Sequence, residues 1–446
     1  MENLVLKDVE SYIDGFARFE RSVAGNGWLW LSPLRKEAIS KFKELGFPTT
    51  RHEEWKFTNV APITKTSFRL TERATALPAG EELEKFTIPE LDVFRLVFID
   101  GHFTPELSSI RELPEGVKIK SLRDALSQER ELLEPHLSRY VDLSDDAFSS
   151  LNTAFMQDGV FVYVPENTVL PEPVHVLYVS TGPTSPTITH PRNLIVAGKS
   201  SEATVIEDYV SLGEGVNFSN VVTELVAGEN SHINHYKIER ENRKAFNVST
   251  LRIEQLRNSS VSTHAVLIGG ALVRNNIHPV LDGEGGSCLI NGLFMATGSQ
   301  HMDNHMLVEH VSPHCDSRQF YYGILDGRSK GVFSGRIVVH KDAQKTDAKQ
   351  TNRNLLLSEE ASIDTKPQLV IHADDVKCTH GATIGQMDES ALFYMRSRAI
   401  PLDKAKAILL LAFAGESLKR IDLEPLRVYL EGVVAEWFSS EHLNLG

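Results

Sequence analysis

The sequence predicts a mainly β protein in which a central β-rich segment lies between two helical segments. Short runs rich in β-branched and aromatic residues recur between residues 158 and 393, roughly one every dozen residues. Glycine and asparagine stand between most of these runs as turn signals, and helical stretches of crossover length are missing. These observations exclude a doubly wound α/β fold. They leave a sandwich, a barrel and a solenoid open for the core.

The N-terminal part, residues 1–157, is expected to be mostly helical. The segment from Ser32 to Gly46 has apolar residues at helical spacing, begins with Ser-Pro and ends at a glycine. The run VFRLVFID, from Val93 to Asp100, predicts a strand. Trp55 and Phe57 in the motif HEEWKFT are expected to anchor this part on its neighbour, because aromatic side chains mostly serve burial.

The C-terminal part, residues 394–446, is predicted to be helical again. LDKAKAILLLAFAGESLKRI and EPLRVYLEGVVAEWF each carry an apolar stripe at helical spacing. The segment from Ile408 to Phe413 is apolar nearly all round. A helix of this kind must be buried, either against its own β domain or against a partner.

Composition and charge exclude several classes of function. The chain has 446 residues, with 46 basic and 60 acidic side chains and a net charge of −14, which argues against nucleic-acid or anionic-membrane binding. No apolar run reaches transmembrane length, and the acidic start is atypical of a signal or transit peptide. The three cysteines are too few for a disulfide framework, so a reducing cytoplasm is expected. A P-loop for ATP is absent from the sequence.

The stretch KCTHGATIG contains the candidate chemical centre, Cys378 and His380. The apolar and β-branched residues from Leu369 to Val376 predict an extended chain that runs into Cys378. On a strand, residues two apart share a face, and their Cα atoms lie about 6.6 Å apart. A thiolate beside an imidazole suits iron, zinc or an iron–sulfur cluster.

Longer stretches carry a family resemblance. They are AQKTDAKQTNRNLLLS, TKPQLVIHADDVKCTHGATIG, LFYMRSRAI, RHEEWKFT and PRNLIVAGKSSEATVIEDYV. They occur in matching order along most of the chain, and they resemble the SufB/SufD family of iron–sulfur cluster assembly proteins. The SufB branch usually has C-E-H-E-A where this chain has CTHGA, which favours the SufD branch. Where the family usually has S-R-G-I, this chain has Ala399 in place of the glycine, and an ordinary φ is expected there.

The resemblance implies a right-handed parallel β-helix for residues 158–393, flanked by the two helical domains. It also implies a non-catalytic scaffold subunit of the SufBCD complex, paired with SufB through the β-helix and bound to the ATPase SufC through the C-terminal helices. Cys378 and His380 match positions implicated in cluster assembly. Since a cluster usually takes four protein ligands, no cofactor is expected to bind stably to the chain alone, and the cluster is expected transiently at an interface with SufB. The cluster type, a role for a flavin, and a homodimer of the isolated chain are left open.

Two alternative functions compete with this expectation. The first is a free-standing metal-binding protein that uses His305, His310 and Cys315 in QHMDNHMLVEHVSPHC. The competing expectation is that these histidines lie on a solvated β face. The HExxH motif of metalloproteases is absent, because residue 302 is Met. The second is a β-helix polysaccharide lyase or hydrolase that uses aspartates, but no spacing marks a carboxylate pair. The aspartates considered are Asp282, Asp303, Asp326, Asp374 and Asp375.

Overall fold

A computed structural model describes residues 5–23, 25, 28–73 and 76–440. Within those residues, no helix has both the length and the apolar character needed to cross a membrane. The helices are α1 (Val9–Val23), α2 (Ser32–Leu45), α3 (Ala61–Lys65), α4 (Gly80–Glu84), α5 (Leu122–Gln128), α6 (Arg130–Leu133), α7 (Ala147–Phe155), α8 (Glu389–Ser397), α9 (Leu402–Leu418) and α10 (Glu424–Ser440).

The strands form two large sheets. In the first half of the chain they are β1 (Val5–Leu6), β2 (Phe68–Leu70), β3 (Phe94–Ile99), β4 (His102–Phe103), β5 (Lys118–Ser121), β6 (Val160–Val164), β7 (Val174–Ser180), β8 (Thr187–Thr189), β9 (Arg192–Ala197), β10 (Glu202–Ser211) and β11 (Asn217–Ala227). They continue as β12 (His232–Arg240), β13 (Phe246–Gln255), β14 (Ser260–Leu267), β15 (Leu272–Leu281), β16 (Ser287–Ala296), β17 (His301–His310), β18 (Asp316–Leu325), β19 (Lys330–Val339), β20 (Asp347–Leu356), β21 (Ser362–Ile371) and β22 (Lys377–Gly385).

From β10 onward, successive strands alternate between the two sheets, and each strand pairs in parallel with the strand two places further along the chain. β10, β12, β14, β16, β18, β20 and β22 belong to the ten-stranded sheet, and the odd-numbered strands between them belong to the twelve-stranded sheet. This topology is a parallel β-solenoid. The prediction of a mainly β protein with a parallel solenoid and helices at both ends is confirmed, and the sandwich and the barrel are ruled out.

The solenoid interior is lined by every second residue of each strand, because neighbouring strands are in register and side chains alternate between faces. Val261, Cys288, Ser317 and Ala348 occupy matching positions on four successive strands of the ten-stranded sheet, and all four are buried. The main hydrophobic core fills this interior.

One corner of the solenoid repeats a left-handed residue in successive turns. Ser200, Asn230, Asn258, His314 and Lys345 all have positive φ, between 54° and 63°. Each lies just before a strand of the ten-stranded sheet, where the chain turns sharply between the two sheets. Asparagine tolerates this conformation better than most residues, which accounts for the asparagines among the turn signals.

The N-terminal part packs its helices on the outer face of the twelve-stranded sheet. The predicted helix is confirmed as α2, followed by Gly46 at φ 63°, and the predicted strand is confirmed as β3. This part also adds strands to both sheets, since β2 pairs with β8 and β3 with β7. Trp55 anchors it as expected: the guanidinium carbon of Arg274 lies 3.8 Å from its ring centroid.

The C-terminal helices pack on the outer face of the ten-stranded sheet. Leu410, Ala414 and Leu418 of α9 are buried in a cluster with apolar residues of β10, β12, β14, β16 and β18. The opposite side of α9 stays exposed, and Ile408 keeps 48% of its surface accessible. The helix that is apolar all round is therefore buried on one side only, against its own β domain.

Ala399 follows α8 and has a φ of 62°. The expectation of an ordinary φ at this position is wrong. The chain must reverse between α8 and α9, and the left-handed residue makes that turn. A glycine would adopt this conformation without steric cost, whereas alanine does not.

Among the described residues, no helix caps the end of the solenoid formed by β21 and β22. Each of these strands is the last one of its sheet. Their interior-facing residues are half-buried or exposed, whereas the matching interior-facing residues of the preceding turn are buried. The helices lie on the outer faces of the sheets, so this end opens to solvent.

Candidate functional site

Cys378 and His380 lie on β22, in the uncapped last turn. The chain does not run extended from Leu369 into Cys378 as expected: β21 ends at Ile371, and the chain turns before β22 begins at Lys377. This turn moves the chain from the twelve-stranded sheet to the ten-stranded one. Within β22 the period-two alternation holds, so both side chains project from the same face.

That face is the interior face of the solenoid. Cys378 is in register with the buried Ala348, and His380 with the buried Gln350. In an inner turn these two positions would be buried. In the last turn Cys378 is half-buried and His380 is exposed, so the pair lies at the rim where the solenoid interior meets solvent.

The Cys378 thiol packs against the edge of the main core. Burial raises the pKa of the Cys378 thiol above its ordinary value, and a hydrogen bond with the Ala348 backbone acts in the opposite direction. In the chain alone the thiol is therefore protonated near neutral pH. A metal ion or a cationic group close to a thiol lowers its pKa and favours the thiolate.

A layer of buried amides lies directly behind the rim. Gln350, Asn352 and Asn354 alternate along β20 and all face the interior. Gln350 donates a hydrogen bond to Gln319 of the next inner strand, with 2.8 Å between Nε2 and Oε1. Asn352 and Asn354 bond to each other, with 2.6 Å between Asn354 Nδ2 and Asn352 Oδ1. The interior behind the open end is thus polar, in contrast to the apolar core further in.

The three residues of the alternative metal site are not brought together. His305 and His310 are five positions apart on β17 and lie on opposite faces. His310 is buried in the interior, where its Nε2 lies 2.8 Å from Ser317 Oγ. The Cys315 thiol donates to the Gly283 carbonyl at 3.3 Å. Within the part of the chain that the structure describes, no group of three or more His, Cys, Asp or Glu residues is placed to hold a metal ion.

The expected solvated face for these histidines is also wrong, because the N-terminal motif covers it. His305 Nε2 lies 2.5 Å from Glu54 Oε2, and Arg336 donates to Glu54 Oε1 at 2.8 Å. The His305 hydrogen bond, with help from Arg336, lowers the pKa of Glu54 to about 2. These contacts hold the motif HEEWKFT on the outer face of the twelve-stranded sheet.

Two of the five aspartates considered for the alternative enzyme, Asp303 and Asp375, make structural contacts. Asp303 is buried, accepts from Arg274 at 2.5 Å and from the Thr58 hydroxyl at 2.5 Å. Asp375, in the turn before β22, forms an ion pair with Lys345. A carboxylate held by an ion pair is a poor general acid, so these contacts give no support to the lyase or hydrolase.

Sequence reasoning found the Cys378–His380 pair but missed its setting. The interior amides carry a readable signal, since Gln350, Asn352 and Asn354 recur with period two in DAKQTNRNLL. The opening of the last turn has no such signal, because it depends on where the C-terminal helices pack.

Comparison with known protein families gives two matches that together span nearly the whole chain. A family model described as the SUF system FeS cluster assembly, SufBD core domain, matches residues 178–413. A second, described as the SufBD protein N-terminal region, matches residues 6–176. The first match alone covers more than half of the chain and includes the strand that carries Cys378 and His380.

Individual proteins match over similar lengths. An iron–sulfur cluster assembly SufBD family protein of Synechocystis is 35% identical over 409 residues, which is 90% of each chain. The iron–sulfur cluster assembly protein SufD of Escherichia coli is 31% identical over 398 residues, 89% of this chain and 90% of its own. The chloroplastic protein ABCI7 of Arabidopsis thaliana is 28% identical over 418 residues, 91% of this chain and 86% of its own.

Proposed function

The chain belongs to the SufBD family of iron–sulfur cluster assembly proteins, and we propose that it is a non-catalytic scaffold subunit of a cytoplasmic complex with SufB and the ATPase SufC. It pairs with SufB through the solenoid and holds SufC on its C-terminal helices. The iron–sulfur cluster is the product of the complex and is held transiently between this chain and SufB.

The open end of the solenoid is the observation that carries this proposal. A solenoid requires a cap at each end, because the last turn otherwise exposes its interior residues. The outer edges of β21 and β22 have no partner strand within the described residues, and such edges pair readily with strands of another chain. A sister subunit with the same solenoid offers strands of matching length and spacing.

The chemistry of the rim supports a shared site. Cys378 and His380 supply one soft sulfur ligand and one imidazole, a combination suited to iron. Among the described residues no further cysteine lies on the rim, since Cys288 and Cys315 are buried in earlier turns. A cluster usually takes four protein ligands. The remaining ligands therefore have to come from SufB.

The exposed apolar residues of α8 and α9 support the attachment of SufC. Phe393 and Tyr394 on α8 are 77% and 59% exposed, and Ile408 and Leu411 on α9 are 48% and 36% exposed. We call these four residues the C-terminal apolar surface. Large exposed apolar side chains on two adjoining helices are typical of a protein-binding surface.

Cluster content of the assembled complex tests the proposed site. The chain is co-expressed with SufB and SufC, and iron and acid-labile sulfide are measured per purified complex. His380→Ala is expected to assemble normally but to carry far less cluster, because the partner cannot replace the missing imidazole. Cys378→Ala is expected to have an equal or smaller effect, since SufB thiolates can compensate. Thr379→Ala is the matched control, because its side chain points to the opposite face of β22.

Two outcomes contradict the proposal separately. If His380→Ala carries the iron and sulfide of the wild type, His380 is not a site residue, although the partners stand. If neither SufB nor SufC co-purifies with the wild-type chain, the scaffold role itself is wrong.

A further inference from the structure

One row of side chains in the amide layer behind the rim leads outward, strand by strand, to His380. Gln319, Gln350 and His380 occupy matching interior positions on β18, β20 and β22. Neighbouring strands of a sheet lie about 4.8 Å apart, so each of these side chains is within reach of the next. Gln350 Nε2 donates inward to Gln319 Oε1. The Oε1 of the same amide is therefore left as a free acceptor.

That acceptor is unsatisfied. Gln350 is only 1% exposed, and its Oε1 has no hydrogen-bond partner among the described residues. A buried amide oxygen without a partner costs about 1–3 kcal/mol, which makes such groups rare. The amide fills space that a side chain of the opposite sheet would otherwise occupy, because a Cβ on Gly335 would lie 2.0 Å from Gln350 Nε2. The glycine leaves the room in which the Gln350 amide sits.

We propose that Gln350 is a positioning residue for His380, accepting a hydrogen bond from one ring nitrogen through its Oε1 when a partner closes the end of the solenoid. This inference rests on the proposed function, because the partner supplies the closure. His380 is exposed in the chain alone, and its ring makes no hydrogen bond with the described residues. Covering the rim removes competing water and leaves the Gln350 oxygen as the nearest acceptor in register.

The consequence is a fixed tautomer. The inward ring nitrogen carries the proton that is donated to Gln350, and the outward nitrogen keeps its lone pair and faces the interface. A ring held in this way is ready to bind a metal or accept a proton, as imidazole ligands elsewhere are oriented by the partner of their second nitrogen. Hydrogen bonds along the row Gln319–Gln350–His380 thus fix the His380 ring relative to the inner turns.

Ring-nitrogen NMR of the complex tests this inference. Only this chain is labelled with ¹⁵N-histidine, it is assembled with SufB and SufC, and the His380 signals are assigned by their loss in His380→Gln. One tautomer is expected in the wild-type complex and a mixture in the isolated chain. Gln350→Met should restore the mixture in the complex and reduce the rate of cluster formation about tenfold, the lower end of typical effects at such positions.

Two variants separate positioning from simple packing. Gln350→Glu keeps an acceptor toward His380 and, when protonated, a donor toward Gln319, so it should retain one tautomer and form cluster within about twofold of the wild type. Asn352→Leu removes a buried amide from the same strand but next to Ala382, which has no polar side chain, and should leave the tautomer unchanged.

A mixture of tautomers in the wild-type complex, or one tautomer in the Gln350→Met complex, overturns the inference. Neither result bears on the proposed function, which is tested by co-purification of SufB and SufC and, for the role of His380, by the cluster content of His380→Ala.

Discussion

Ala399 has a left-handed backbone conformation that is unfavourable for a residue with a Cβ. Its φ of 62° places Cβ close to the neighbouring carbonyl oxygen, a conformation that glycine adopts freely. We expect Ala399→Gly to raise the free energy of unfolding by about 0.5–1 kcal/mol, after allowing for the greater freedom of glycine in the unfolded chain. Urea denaturation followed by circular dichroism measures this change.

The matched control is Ala391→Gly in the first turn of α8, where φ is helical. Glycine there is expected to lower the free energy of unfolding by about 1 kcal/mol. Opposite signs at the two positions identify the left-handed backbone as the cause. A loss of stability in both variants contradicts it.

Arg192 and Glu224 form an ion pair that is fully buried, with 2.6 Å between Nη2 and Oε2. Glu224 also accepts hydrogen bonds from the backbone N–H groups of Ser138 and Tyr140, so the pair fastens the N-terminal part to the solenoid. Arg192→Leu leaves the carboxylate buried without its cation. We expect a loss of about 3–5 kcal/mol in the free energy of unfolding, measured by chemical denaturation.

Lys199 and Glu229 provide the exposed comparison, at 3.1 Å and with about half and a third of their side-chain surfaces accessible. Lys199→Leu should cost less than about 1 kcal/mol, because solvent screens an exposed pair. Similar losses for both leucine variants would show that burial does not govern the Arg192 pair.

Glu54 makes the attachment of the HEEWKFT motif to the twelve-stranded sheet sensitive to acid. Its folded-state pKa, about 2, lies below the ordinary value of 4.5, chiefly because of the His305 hydrogen bond. A lowered folded-state pKa contributes stability that is present above pH 4.5 and is lost as the pH falls toward 2. Glu54→Gln should therefore flatten the decline of the melting temperature over that range. An unchanged decline would mean that other carboxylates govern it.

At the scale of elements, α9 serves two surfaces at once. Leu410 and Leu418 cover the ten-stranded sheet, while Ile408 and Leu411 belong to the C-terminal apolar surface. Deleting α9 and α10 would expose the sheet, so it cannot separate binding from folding. We expect the double variant Phe393→Ser, Ile408→Asn to fold normally and to lose co-purification with SufC, because both side chains are largely exposed.

The matched control replaces buried positions of the same helix. Leu410→Ala should lower the melting temperature, because it leaves a cavity against the sheet, and should keep SufC bound in the protein that remains folded. Full recovery of SufC with the exposed double variant would place the docking surface elsewhere.

The strands show where sequence reasoning succeeds and where it stops. The runs VFVYVP and SCLINGLF, which contribute to β6 and β16, predict strands from composition alone because most residues on both faces are apolar. β17 and β20 were not marked by composition, since they carry polar residues on both faces: HMDNHMLVEH lies partly under the N-terminal motif, and DAKQTNRNLL holds the interior amides. Burial of those polar residues depends on partners distant in sequence.

The turn between β21 and β22 was hidden for a related reason. LVIHADDV has the composition of one strand, yet the chain changes sheets within it. The pitch of the solenoid sets that turn, and pitch is a property of stacked turns and not of local residues. The pairing of Cys378 with His380 was predictable because it needs only the two-residue period of one strand.

At the scale of the whole molecule, the two ends of the solenoid differ. The first turns are covered by strands and helices of the N-terminal part, whereas β21 and β22 end in open edges. The end formed by β21 and β22 therefore offers strand edges with which further strands can pair. A second solenoid added at the open end would extend both sheets and bury the rim that carries Cys378 and His380.

Strand geometry makes this last idea testable with a single proline. The N–H of Lys377 donates to the Thr346 carbonyl on the β20 side at 2.8 Å. Because N–H directions alternate along a strand, Thr383 also points toward β20, whereas Ala382 points toward the open edge. Proline is tolerated on an edge strand where the lost N–H faces outward.

Ala382→Pro should keep the unfolding free energy within about 1 kcal/mol of the wild type while SufB no longer co-purifies. Thr383→Pro, which removes a donor to β20, should instead destabilise the chain itself. Full recovery of SufB with Ala382→Pro would mean that the partner does not pair with the edge of β22.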